Sequence, residues 1–351
     1  MKQLEPLYAK VAQRVQAPVC VVLGPPWPVA QLVRAINLPE VVCVQMDLHQ
    51  AERLQDCLRE AGTTASVETV ADVWDLPPRF ATVIFPAAAH SERELKLDVV
   101  EQAYHILRPG GTFIALSEYE RDQLFARWLK KVYGRYGETP ASPEGTAIFA
   151  TKTDAGRPRR RHEVTFHARI GEGPSVHIVS RPGTFSYGRF DEGSRAMLEI
   201  ADIRPGDRVL DLGCGNGAVG CLAGTRVGPT GSVTFIDSNL RSVALAQQNA
   251  QINATPQPRF VAASRLQGLE PASFDVILAN PPYYALTEIT RLFISGAKPL
   301  LAPGGRYYLV TKMPTAVVPM IFQTFGDCTV HENRGYSVIT AIRPASERKH
   351  S

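Results

Sequence analysis

The chain contains no run of eighteen consecutive apolar residues, so its sequence offers no transmembrane helix. Its first residues, Met1-Lys2-Gln3-Leu4-Glu5, lack the apolar core of a secretory signal, and the expected location is the cytoplasm. Cysteine is sparse and scattered. Cys20, Cys43, Cys57, Cys214, Cys221 and Cys328 form no C-x-x-C pair, which excludes a zinc ribbon or a disulfide framework and leaves reduced thiols. The eight histidines show no metal-ligand spacing, so no metal is expected. A large excess of one charge is also missing. The net charge of +4 is compatible with a polyanionic partner without requiring one. Nothing in the sequence sets the oligomeric state. What is present is ordinary globular chemistry, 44% hydrophobic and 21% charged over 351 residues, a length that suggests two domains.

Short apolar runs bounded by turn residues alternate with helical spacing, the pattern of an α/β chain with parallel sheets. In the first half, Leu4, Leu7, Val11 and Val15 suggest a lead-in helix. Strands are expected over 18–24, 41–47, 80–86 and 112–116, with helices over 29–36, 50–60 and 92–107. The second half repeats that order. Strands are expected over 207–213, 232–237, 275–279 and 306–310, with helices over 239–253 and 287–300 and a closing antiparallel hairpin from 329–331 and 336–342. Pro303-Gly304-Gly305 falls 194 residues after Pro109-Gly110-Gly111, and at that offset Pro86-Ala87-Ala88 falls on Asn280-Pro281-Pro282. With a slightly smaller offset Leu23-Gly24 falls on Leu212-Gly213, and Asp47 on Asp237. The agreement of four landmarks in order indicates an internal duplication.

The two copies differ in what their loops carry. Gly213-Cys214-Gly215-Asn216-Gly217 has Gly24-Pro25-Pro26-Trp27-Pro28 as its counterpart, and Asn280-Pro281-Pro282-Tyr283 has Pro86-Ala87-Ala88-Ala89. The glycines permit a tight strand-to-helix turn and close approach of a ligand to the backbone. Asp237, 20 residues beyond Gly217 at the end of the next strand, can accept both hydroxyls of a ribose. Asp211 just before the glycines is placed to meet an amino group. The competing role for both acids is strand-end capping. The stiff Asn280-Pro281-Pro282-Tyr283 loop displays an amide, backbone carbonyls and an aromatic ring. That set suits a planar amine: acceptors for its N–H bonds and a ring for stacking.

Taken together, Asp211 to Gly217, Asp237 and Asn280-Pro281-Pro282-Tyr283 resemble the motifs of class I S-adenosylmethionine-dependent N-methyltransferases. The duplication with a degenerate first copy resembles the RsmC family of ribosomal RNA guanine-N2 methyltransferases. Pro182-Gly183-Thr184-Phe185-Ser186, followed by Asp191 and Gly193, is similar to that family's lead-in. The resemblance implies two tandem Rossmann-like domains, each a mostly parallel sheet flanked by helices. It implies S-adenosylmethionine as cofactor, held by Asp211, Gly213, Gly215, Gly217, Asp237 and, after the third strand, Ser264. It implies catalysis by Asn280, Pro281, Pro282 and Tyr283, and ribosomal RNA or a ribosomal subunit as partner. Two positions depart from the family: Tyr284 stands where relatives usually have histidine, and Ser264-Arg265 where they have Asp or Asn.

The expected organisation is a degenerate domain over 1–151, a basic linker and hairpin lead-in over 152–190, a catalytic domain over 191–343 and a polar tail over 344–351. The linker's Arg157 and Arg159 to Arg161 are read either as a solvated, mobile segment or as phosphate ligands. Lys312 is read as a solvated strand end or a substrate-side group. Two rival functions stay open. One is methylation of another planar amine, such as adenine in RNA or DNA or a protein glutamine amide. The other is a non-enzymatic RNA-binding or ribosome-assembly factor.

Overall fold

Residues 276–279 show why the sheets form. Val276, Ile277, Leu278 and Ala279 are all fully buried, and alternate residues enter two different cores. A strand covered on both faces reads as an unbroken apolar run, as parallel sheets require. The computed structural model describes residues 4–89, 91–153, 156–281 and 288–345. The chain divides into two units, Met1–His162 and Glu163–Ser351.

In the first unit the elements run α1 (Glu5–Ala9), β1 (Val19–Val22), α2 (Pro26–Ile36), β2 (Val41–Gln45), α3 (Leu48–Glu60), β3 (Ser66–Thr69), β4 (Phe80–Ala87), α4 (Arg93–Ile106), β5 (Leu107–Ser117), α5 (Gln123–Tyr133), β6 (Gly137–Glu138) and β7 (Thr146–Thr151). The sheet order is β3-β2-β1-β4-β5-β7-β6, parallel except at β7 and β6. One face is covered by α1, α2 and α3, the other by α4 and α5. The lead-in helix is shorter than its spacing predicts and passes into a 3-10 turn at Ala12–Arg14, yet Leu4, Leu7, Val11 and Val15 are all buried. The antiparallel ending of this sheet and α5 lie in a stretch to which the sequence reading assigns no element. Asp122 caps α5, accepting from the N–H groups of Leu124 and Phe125.

The second unit opens with a hairpin of β8 (Val164–Ala168) and β9 (Val176–Ser180). There follow α6 (Glu192–Ile200), β10 (Arg208–Leu212), α7 (Ala218–Val227), β11 (Ser232–Asp237), α8 (Leu240–Ile252), β12 (Pro258–Ala262) and β13 (Phe274–Ala279). The unit ends with α9 (Glu288–Ser295), α10 (Ala297–Leu300), β14 (Leu301–Thr311), α11 (Pro314–Phe325), β15 (Thr329–Asn333) and β16 (Tyr336–Ile342). Its sheet order, β12-β11-β10-β13-β14-β16-β15, repeats the first. The helix predicted over 287–300 is two helices, broken at Gly296. There a Cβ would stand 2.2 Å from Leu266 Cδ1, so close packing decides the break. Asn249 and Asn253 on α8 hold the β8–β9 hairpin. Asn249 accepts from the N–H of Val179 and donates to its carbonyl, and Asn253 does the same for His177, each at 2.8 Å. These side chains stand in for a neighbouring strand and bind the lead-in to the second unit.

Candidate active site

Strand order reverses at β10, with β11 on one side and β13 on the other, the place where open α/β sheets bind ligands. Leu212 pairs with Ala279 in register, so Gly213 and Asn280 leave the sheet side by side at its carboxyl end. Two loops 67 residues apart in sequence thus share one cleft. Its lining includes Asp211, Gly213, Cys214, Gly215, Asn216 and Asn280, faced by Phe185, Ser186, Arg189 and Asp191 of the lead-in.

The glycine turn has two layers. Gly217, at φ +80°, packs its Cα against α8, where a Cβ would meet Ala246 Cα at 2.8 Å. Gly215, at φ +53°, has among the described residues only Phe185 Cβ near its open position, at 3.7 Å, so the space above it opens to the cleft. Asp237 stands behind that turn. Its carboxylate accepts from the N–H of Gly215 at 2.9 Å and of Asn239 at 2.8 Å. Capping and ligand binding are therefore not exclusive for this acid, because a carboxylate offers about four acceptor sites. Among the described residues Asp237, Gly217 and Ser264 are not part of the cleft lining. Ser264 follows β12, whose end is tied to β11 by the bond from Ala263 N–H to the Asp237 carbonyl at 3.1 Å.

Asp211 is buried and accepts from the N–H of Gly220 at 2.8 Å. Burial pushes its carboxyl up to about 7, against the Gly220 hydrogen bond, and the Asp237 charge adds to the rise. The lead-in wall is held from below. Arg241, fully buried, donates to the Pro182 carbonyl, and Asn239 Nδ2 donates to that of Gly183 at 3.1 Å.

Asn280 is oriented from α6. Its Nδ2 donates to Ser194 Oγ at 2.9 Å and lies 3.4 Å from Asp191 Oδ1. Asp191 is also the N-cap of α6, accepting from the N–H groups of Gly193 and Ser194. The amide's donors face this helix start, and its oxygen is an acceptor. Sequence reasoning missed Ser194 altogether and took Asp191 only as part of a lead-in. The available signal was the capping pattern Asp191-Glu192-Gly193-Ser194. Pro281 is buried directly after Asn280. Pro282, Tyr283 and Tyr284 lie outside the described residues. Lys312 rests over the Tyr336 ring, 4.6 Å from its centroid.

The cleft residues suit S-adenosylmethionine. The position over Gly215 admits a ligand against backbone, Asp211 brings an acceptor into the lining, and Asp237 stands behind the turn. A sheet in this order, a glycine turn after its central strand and an acid after the next define the class I methyltransferase architecture. The methyltransferase small domain model matches residues 175–340. The ribosomal RNA large subunit methyltransferase G of Streptomyces avermitilis is 30% identical over 307 residues, spanning 83% of this chain and 78% of that protein. The ribosomal RNA small subunit methyltransferase C of Pseudomonas paraeruginosa is 33% identical over 174 residues, 48% of this chain and 52% of that protein. The T. thermophilus 16S rRNA N2 methyltransferase RsmC, solved with AdoMet and guanosine, superposes with a TM-score of 0.72 over 96% of this chain and 92% of that one. At 21% identity, this likeness speaks to the fold. The chain belongs to the RsmC-type family of S-adenosylmethionine-dependent ribosomal RNA methyltransferases.

Proposed function

We propose that the second unit methylates an exocyclic base amine of ribosomal RNA, guanine N2, using S-adenosylmethionine. The observation that carries this reading is the Asn280 amide, held by Ser194 and Asp191 beside the glycine turn. Bound S-adenosylmethionine supplies a methyl group already activated by a positive sulfur. The protein's task is then positioning rather than strong base catalysis. Asp237 accepts from the ribose hydroxyls, Asp211 from the cofactor's amino group and Ser264 from its adenine edge, while Gly213, Gly215 and Gly217 shape the turn.

The amine's lone pair is delocalised into the base. Asn280 Oδ1 and the Pro281 carbonyl would accept its N–H bonds and draw the nitrogen towards tetrahedral geometry, so that a C–N bond can form as the S–methyl bond breaks, the thioether leaves with the electron pair and the nitrogen's extra proton passes to solvent. Pro282, whose ring fixes φ, and Tyr283, whose ring would stack on the base for about 1–3 kcal/mol, complete the proposed catalytic set. A paired base cannot reach such a cleft, so the target is unpaired or flipped out.

The first unit serves another role in this proposal. Gly24 is closed over, where a Cβ would meet Val29 Cγ2 at 2.9 Å and Pro86 Cγ at 3.2 Å, and Gln45 Nε2 donates to its carbonyl at 3.1 Å. The β1–α2 connection has only Leu23, Gly24 and Pro25, against five residues between β10 and α7. These features support a first copy that holds no cofactor, and the proposed organisation is a degenerate copy over 1–151, a linker and lead-in over 152–190, a catalytic domain over 191–343 and a tail over 344–351.

The test is transfer of labelled methyl onto unmodified ribosomal subunits, naked ribosomal RNA and protein extract, followed by nucleoside analysis. Product N2-methylguanosine is expected. Asn280→Ala is expected to lose most turnover while retaining cofactor affinity, and equal loss of both would make Asn280 a structural residue.

A further inference from the structure

The arginine-rich segment between the two sheets is held in place. Arg157 donates to the carbonyls of Lys131 and Val132 at 3.2 and 3.1 Å, with its guanidinium 5.8 Å from the Tyr104 ring centroid. Arg159 donates to the Trp74 carbonyl at 3.3 Å and lies 5.6 Å from the Trp74 ring. His162 Nε2 sits 2.8 Å from Glu101 Oε2. The segment is thus strapped to the first unit through neutral carbonyls and aromatic faces. Among the described residues no carboxylate lies within ion-pair distance of Arg157, Arg159 or Arg160. Glu101 Oε2 holds His162, and Asp75 accepts from the N–H of Asp72.

The strap begins where α5 ends, and α5 continues the same charge. Phe125, Trp128, Leu129, Val132 and Tyr133 make its buried face. Arg127, Lys130 and Lys131 fall on the opposite, exposed face, and exposed Arg135 follows. The helix's one acid within reach, Asp122, is buried as its N-cap.

We propose that this band, Arg127, Lys130, Lys131, Arg157, Arg159 and Arg160, is a docking surface for the phosphate backbone of RNA. The inference rests on the RNA reading of the second unit. Guanidiniums already fixed by carbonyls and rings lose little freedom on meeting a phosphate. Arg157 spends two donor contacts of its five N–H groups on the fold, which leaves others for a ligand. Such contacts position a nucleic acid without reading its sequence. The first copy, without the glycine turn, then contributes grip in place of chemistry.

Arg127, Lys131 and Arg160 are exposed, and their side chains make no hydrogen bond or ion pair with another described residue, so replacing them spares the fold. The full chain carrying Arg127→Gln, Lys131→Gln and Arg160→Gln is titrated with a fragment of unmodified ribosomal RNA between about 50 and 200 mM salt. The slope of log affinity against log salt should fall by roughly 0.7–0.9 for each phosphate no longer neutralised, about 2–3 for all three. Arg127→Lys with Arg160→Lys should restore most of it. The control removes equal charge from α2 and α3, on the other face of that sheet, with Arg34→Gln, Arg53→Gln and Arg59→Gln, and should leave the slope unchanged. An unchanged slope in the first variant, or an equal fall in the control, overturns the docking surface. Methyl transfer by the unaltered protein separates the two claims. If RNA is methylated but the slope does not move, only the docking surface fails. If the slope moves but no nucleoside is methylated, only the functional reading fails.

Discussion

Ser194→Ala tests the orientation of Asn280 with little disturbance elsewhere. Ser194 lies in the first turn of α6 and is buried, and its backbone N–H already bonds to Asp191. Alanine keeps that backbone bond and is the best helix former, so α6 should be intact. What disappears is the 2.9 Å bond from Asn280 Nδ2. The 3.4 Å contact to Asp191 Oδ1 is longer than a good N–H···O bond. One such bond contributes about 0.5–1.5 kcal/mol. If that energy keeps the amide oxygen facing the amine, kcat should fall roughly two- to thirteenfold. Single-turnover methyl transfer measures it, with cofactor affinity from calorimetry expected to stay unchanged. The decisive comparison is a double-mutant cycle. In an Asn280→Ala background there is no amide to orient, so Ser194→Ala should cost nothing further. Full additivity of the two losses, or a fall in cofactor affinity larger than the fall in kcat, would refute the orienting role.

The two layers of the glycine turn should separate by substitution. Gly217→Ala drives a methyl against Ala246 backbone and should cost about 1–3 kcal/mol in urea unfolding, while Gly215→Ala should cost about 1 kcal/mol but weaken cofactor binding far more. A pH titration should expose Asp211. Its folded value of about 7 exceeds the unfolded one of 3.8, so the folded state holds a proton that the unfolded state releases between them. Its effect is therefore to lower stability as pH rises from about 4 to about 7, levelling off above. Carboxylates lowered by arginine, Glu199 through Arg334 and Asp275 through Arg208, give the opposite trend at lower pH. The difference between the native chain and Asp211→Asn isolates the effect. The variant should gain stability relative to the native chain as pH rises from about 4 to about 7, and a pH-independent difference would contradict the buried acid.

Strand and helix order, and the glycine and Asn280 loops as one site, were legible in the sequence because local chemistry sets them. An unbroken apolar run such as 276–279, stopped by Pro281, reads as a strand buried on both faces, and it is one. Prolines and glycines mark many element ends, as Pro281 follows β13, although Pro86 lies inside β4 and Pro319 inside α11, and both sheets share one strand order. Some features were locally written yet passed over. The apolar face of α5 at Phe125, Trp128, Leu129 and Val132 and its Asp122 cap are such a case. Others have no local signature. Ser194 meets Asn280 across 86 residues, and Arg159 meets Trp74 across 85. Both pairings depend on which helix start or ring the packed sheet brings near. A serine or an arginine can be satisfied by water equally well, so its residue type does not name its partner. Sequence alone determined the elements, their order and the chemistry that the loops carry. Tertiary packing decided which way the Asn280 amide faces and whether the arginine segment is loose chain or a fixed cationic surface. Both turn on hydrogen bonds between residues that only the fold makes neighbours.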